Sequence, residues 1–83
     1  MRMGIFDAID RERDYQLCKW GPRGNNRYEH SVGEWLLIIE SELEEAKEAW
    51  VRLGVREALE EVLQVASVAV ACMEEHGVVE RLS

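Results

Sequence analysis

Proline is almost missing from this chain, with one residue, Pro22, in 83, and cysteine is limited to Cys18 and Cys72. Two cysteines far apart, with no CxxC spacing and no Cys/His cluster, exclude a disulfide scaffold and a structural zinc site. They read as reduced thiols of a cytoplasmic protein. Apolar runs are short: none approaches the roughly 20 residues that span a bilayer, and Asp7 interrupts the N-terminus before a signal-peptide core can form. Membrane insertion and export are therefore not expected. Basic residues are also few, 10 Lys and Arg against 17 Asp and Glu, for a net charge of -7. Such a balance disfavours a grip on polymeric nucleic acid, which needs cations to displace phosphate counterions. At 47% hydrophobic residues the chain is nonetheless no disordered acidic tail. One soluble domain spanning 1–83 is expected, too small to enclose a deep cavity alone, so that a second subunit would help to form any pocket.

The acidity is unevenly placed. Residues 1–33 carry six basic and five acidic side chains, whereas residues 34–83 carry four basic and twelve acidic. Between these halves, Gly21-Pro22-Arg23-Gly24-Asn25-Asn26-Arg27 combines the lone proline with two glycines and predicts an irregular loop. Before it, Ile5, Phe6, Ile9, Arg13, Leu17 and Trp20 recur every three or four positions and predict a helix over about 5–19. After it, Ser31-Val32-Gly33-Glu34 fits a capping box that opens a helix over about 32–53. Gly54 then stops that helix, and a third follows over about 56–76 until Gly77. The short turn between the last two predicts an antiparallel hairpin. No segment alternates with period two, so the expected class is all-α.

Within that framework two glutamates point the wrong way. On the second helix Trp35, Leu36, Ile38, Ile39, Leu43, Ala46, Ala49 and Trp50 share one broad apolar arc at about 100° per residue. Glu40, Glu44, Lys47 and Glu48 lie outside it, but Glu42 projects into its middle and Glu45 stands at its edge. On the third helix Glu61 projects among Val65, Val68 and Cys72, with Gln64 one turn later at the border. An uncompensated buried carboxylate costs several kcal/mol, so Glu42 and Glu61 on facing helices need a common partner. Lys47, Arg52 and Arg56 point elsewhere or lie near the turn. A hard divalent cation, Mg²⁺ or Mn²⁺, meets the need; a polar channel, or an arginine from a second chain, is the alternative. His30 and His76 fall at helix ends and do not form the Glu-x-x-His pairs of a di-iron bundle.

These residues also carry a resemblance. The run from Glu34 to Ala49, with Glu42 and Glu45 as an ExxE, followed by Glu61-Val62-Leu63-Gln64, resembles the MazG-like all-α nucleoside triphosphate pyrophosphohydrolases, which pair an ExxE with an ExxD. The similarity covers about residues 13–77, and Tyr15-Gln16, Lys19-Trp20-Gly21 and His30 resemble small phage and bacterial members. The resemblance implies Mg²⁺ held by Glu42, Glu45 and Glu61, with Gln64 as a further ligand and one of the glutamates a possible base. It also implies hydrolysis of an NTP or dNTP to the monophosphate and pyrophosphate, and a homodimer or homotetramer whose bundle pairs helices of two chains. Gln64 departs from the pattern, because an amide can ligate a cation but brings no charge and cannot act as a base. A catalytically weakened module that binds nucleotides or a protein is the competing expectation. In the substrate site so implied, Lys19, Arg23 and Arg27 would hold outer phosphates, and Trp20 or Trp35 would stack on the base.

Overall fold

The computed structural model of the protein describes residues 1–20 and 29–82, the side chain of Trp20 excepted. Three helices account for most of these residues: α1 over Arg2–Trp20, α2 over Val32–Arg52 and α3 over Val55–His76. No strand occurs among the described residues. α1 begins three residues earlier than the apolar spacing suggests, because Arg2, Met3 and Gly4 extend the helix with exposed positions that pack against nothing among the described residues. The segment 21–27, read above as a loop, lies outside the described residues.

Helix boundaries follow local chemistry. The Glu34 backbone N–H donates to Ser31 Oγ at 3.1 Å, and the Ser31 N–H donates to Glu34 Oε1 at 2.7 Å, completing the capping box that starts α2. At its other end the Leu53 and Gly54 N–H groups both close on the Ala49 carbonyl, at 2.8 and 2.9 Å. Gly54 then adopts φ 136°, a conformation open mainly to glycine, and the chain reverses directly into α3. Such a tight reversal forces α2 and α3 to pack as a hairpin.

The hairpin core is thin. Its buried apolar residues are Trp35, Ala46 and Ala49 from α2 with Val68 and Ala71 from α3, and Ile38, Ile39 and Cys72 pack around Trp35, Val68 and Ala71. The broad arc of α2 is covered only in part, since a single neighbouring helix shields a narrower stripe. Leu36, Leu43 and Trp50, spaced at seven-residue intervals on α2, remain 58, 48 and 60% exposed. On α3 Val55, Leu59, Val62 and Met73 are likewise exposed. An open apolar groove of about 430 Å³ runs between these rows, lined by Leu43, Ala46, Lys47, Trp50, Val51, Ala58 and Val62.

α1 docks differently. Ile5 and Phe6, expected on its inner face, are 52 and 53% exposed, whereas Arg13 and Gln16 are buried. Arg13 Nε pairs with Glu74 Oε1 at 2.5 Å, and its Nη1 donates to Gln16 Oε1 at 2.6 Å. Gln16 Nε2 reaches Gln64 Oε1 at 3.3 Å, and Gln64 Nε2 donates to Glu12 Oε2 at 2.8 Å. A polar ladder therefore joins α1 to α3, with Ile9 and Leu17 half-buried beside it. Cys18 and Cys72 are free thiols. No helix among the described residues is long and apolar enough to cross a membrane.

Candidate metal centre

The two anomalous glutamates meet across the hairpin. Glu42 and Glu45 lie one turn apart on α2, Glu61 faces them from α3, and one carboxylate oxygen from each falls within 4.8 Å of the other two. Glu42 and Glu61 are half-buried and Glu45 is exposed. Three like charges this close oppose one another, and Glu42 bears the consequence. Its carboxyl is pushed up to about 7, first by burial, then by its hydrogen bond with Glu45 and by the charges of Glu45 and Glu61.

Such an arrangement is unfavourable with all three groups ionised and becomes favourable once a cation sits among them. Octahedral Mg²⁺ takes oxygens at about 2.1 Å, which separates neighbouring ligand oxygens by about 3 Å and opposite ones by about 4 Å. The trio's carboxylate oxygens lie within 4.8 Å of one another, near that range, and hard oxygen donors suit Mg²⁺ or Mn²⁺. The residues therefore fit the cation that the family resemblance implies.

The remaining residues singled out by sequence take different positions. The Gln64 amide, one turn beyond Glu61, is bonded to Glu12 and Gln16 in the α1–α3 ladder. Trp35 does not offer a stacking face: it is 2% exposed, its indole N–H donates to Glu75 Oε1 at 2.7 Å, and the His30 ring meets it edge-on at 4.8 Å. Its role is in the core, where the apolar arc of α2 meets α3. Lys19 is exposed in the last turn of α1. The expected roles of Arg23, Arg27 and the Trp20 side chain lie outside the described residues. His30 and His76 take part in an end clamp. The His30 N–H donates to Glu75 at 3.2 and 3.3 Å, and His76 Nε2 lies 2.7 Å from the His30 carbonyl.

Lys47 and Arg56 form exposed ion pairs with Glu44 and Glu60, away from the trio. Arg52 lies beside the turn, as expected, and pairs with Glu48. It shares with Glu45, Glu48, Ala49, Leu53 and Glu61 the wall of an open cleft of about 390 Å³, beside the trio. Its spacing of seven from Glu45, which returns it to the same helical face, is the signal that could have found it. No family model, curated protein or solved structure matches the chain.

Proposed function

We propose that the protein is a Mg²⁺-dependent nucleoside triphosphate pyrophosphohydrolase that acts as a dimer or higher oligomer. The observation that carries this reading is the convergence of Glu42, Glu45 and Glu61 within 4.8 Å across the α2–α3 hairpin. It is joined by the resemblance of their ExxE and Glu-x-x-Gln segments to the MazG-like enzymes. Glu42, Glu45 and Glu61 hold the divalent ion, which when bound supplies charge neutralisation for the phosphates and acidifies a coordinated water. Glu45, the exposed member, can take a proton from attacking water at its carboxylate oxygen. Lys19, Arg23 and Arg27 are the sequence-based candidates for the outer phosphates, and Trp20 is the candidate for base stacking.

The oligomer has its own support. Leu36, Leu43 and Trp50 on α2, with Val55, Leu59, Val62 and Met73 on α3, leave an exposed apolar face on a chain whose own core is thin. A second hairpin laid on this face would bury it and complete a four-helix bundle.

The decisive experiment incubates the pure protein with a panel of NTPs and dNTPs and Mg²⁺ or Mn²⁺, beside an active pyrophosphohydrolase as control. Release of pyrophosphate from at least one, abolished by Glu42→Gln, is expected; release from none defeats the reading. One observation favours a second reading, a module that binds nucleotide without turnover: the Gln64 amide is engaged by α1. Nucleotide binding in the presence of Mg²⁺ without pyrophosphate release would select it.

A further inference from the structure

We propose that Arg52 is a phosphate-binding residue, holding the part of a polyphosphate chain that extends beyond the carboxylate trio; this rests on the reading above. The cleft beside the trio is walled by Glu45, Glu48, Ala49, Arg52, Leu53 and Glu61. Two members of the trio thus share a wall with Arg52, so that a ligand anchored by a cation on Glu45 and Glu61 would extend along the residue that carries the guanidinium. Glu45, Glu48 and Arg52 follow one another at intervals of three and four on α2, so they line a single face. The two turns between Glu45 and Arg52 span about 10 Å, a gap that the long arginine side chain shortens.

Arg52 is also available. Its Nε lies 3.4 Å from Glu48 Oε1, with the two side chains 74 and 61% exposed, and such solvated pairs contribute little and exchange partners readily. The buried Arg13, by contrast, is committed to Glu74 and Gln16. A guanidinium presents two parallel N–H groups that match two phosphate oxygens, a geometry that a lysine ammonium lacks. The three carboxylates Glu45, Glu48 and Glu61 make the wall net negative. A free polyphosphate is therefore repelled, and only its divalent complex is accepted. The site should prefer a ligand with at least two linked phosphates, since a single phosphate cannot engage the trio-bound cation and Arg52 together.

The test compares wild type, Arg52→Ala and Arg52→Lys by calorimetric titration with pyrophosphate plus Mg²⁺ and with a nucleoside monophosphate plus Mg²⁺. Pyrophosphate should bind wild type only when Mg²⁺ is present. Arg52→Ala should weaken that binding about tenfold, the loss of one charge-assisted contact, with melting temperature and monophosphate binding unchanged. KM for the triphosphate should rise with kcat preserved, and Arg52→Lys should recover part of the loss. If wild type hydrolyses triphosphates but Arg52→Ala keeps pyrophosphate affinity and KM within about twofold, well short of one charged contact, the assignment of Arg52 is overturned while the enzyme stands. If wild type neither releases pyrophosphate nor binds its Mg²⁺ complex, both are overturned.

Discussion

Gln64 donates its side-chain amide to the Glu12 carboxylate at 2.8 Å, so the position where the resembled family carries an aspartate is used here to fasten α1 to α3. An aspartate could not make this bond, since a carboxylate has no N–H to offer and would face Glu12 with like charge. The glutamine and the glutamate are therefore physically complementary.

Gln64→Asp should for that reason loosen α1. The loss of a part-buried hydrogen bond to a charged acceptor, with repulsion added, predicts a destabilisation of about 1–3 kcal/mol. Amide hydrogen exchange should quicken in α1 well before it does in the hairpin, and the added change Glu12→Gln should restore protection. Unchanged exchange in α1 would mean that the ladder does not hold the helix.

Glu42 makes the stability of the fold depend on pH. Its folded pKa, raised to about 7, lies above its ordinary value of 4.5, so the folded chain holds this proton more tightly than the unfolded chain does. Its contribution to stability is fully present below about 4.5 and is lost as pH rises through about 7. Without divalent ions, Glu42→Gln should thus be more stable than wild type at pH 8, and the advantage should vanish near pH 4. Adding Mg²⁺ at pH 8 should raise the melting temperature of wild type and leave the variant unmoved. Urea or thermal melts at three pH values, with and without Mg²⁺, check both halves.

Much of this was legible before the structure, and the reasons differ by element. The capping box at Ser31 and Glu34 and the glycines at 54 and 77 are local signals, and local geometry honours them. The inward glutamates were legible because a charge inside an apolar arc stands out against helical periodicity. The docking of α1 was not, since apolar periodicity carries no trace of an interface made by Glu12, Arg13, Gln16, Gln64 and Glu74. Trp35 and Trp50 sit on the same arc of α2, yet one is 2% and the other 60% exposed. Only the crossing of α3 separates them, and no pattern within α2 contains that information.

Ser67 offers a test of the α3 interior. It shares a helical face with Gln64 and Glu74, which are bonded to α1, and is wholly buried, while its Oγ finds no hydrogen-bond partner among the described residues. Removing an unsatisfied buried hydroxyl relieves its desolvation cost, and alanine fills nearly the same space. Ser67→Ala should be neutral or stabilising by up to about 1 kcal/mol, read from the midpoint of urea unfolding. A loss larger than that would reveal a hidden partner, such as a bound water.

Trp50 tests the assembly. At 60% exposure it is the largest side chain of the apolar groove that also involves Leu43, Ala46, Val51, Ala58 and Val62. If a second hairpin covers this face, a charge at position 50 would be buried without a partner, and removing the indole would empty the largest contact. Trp50→Glu should therefore shift the protein from dimer or larger to monomer in sedimentation equilibrium. Because most of the core is small, the monomer should also melt at a lower temperature, with the midpoint of wild type rising with protein concentration. Arg81→Glu, on the exposed segment beyond α3, alters charge more than Trp50→Glu does but leaves the groove intact, and it should remain associated. A wild-type chain that sediments as a monomer would remove the second hairpin from this face.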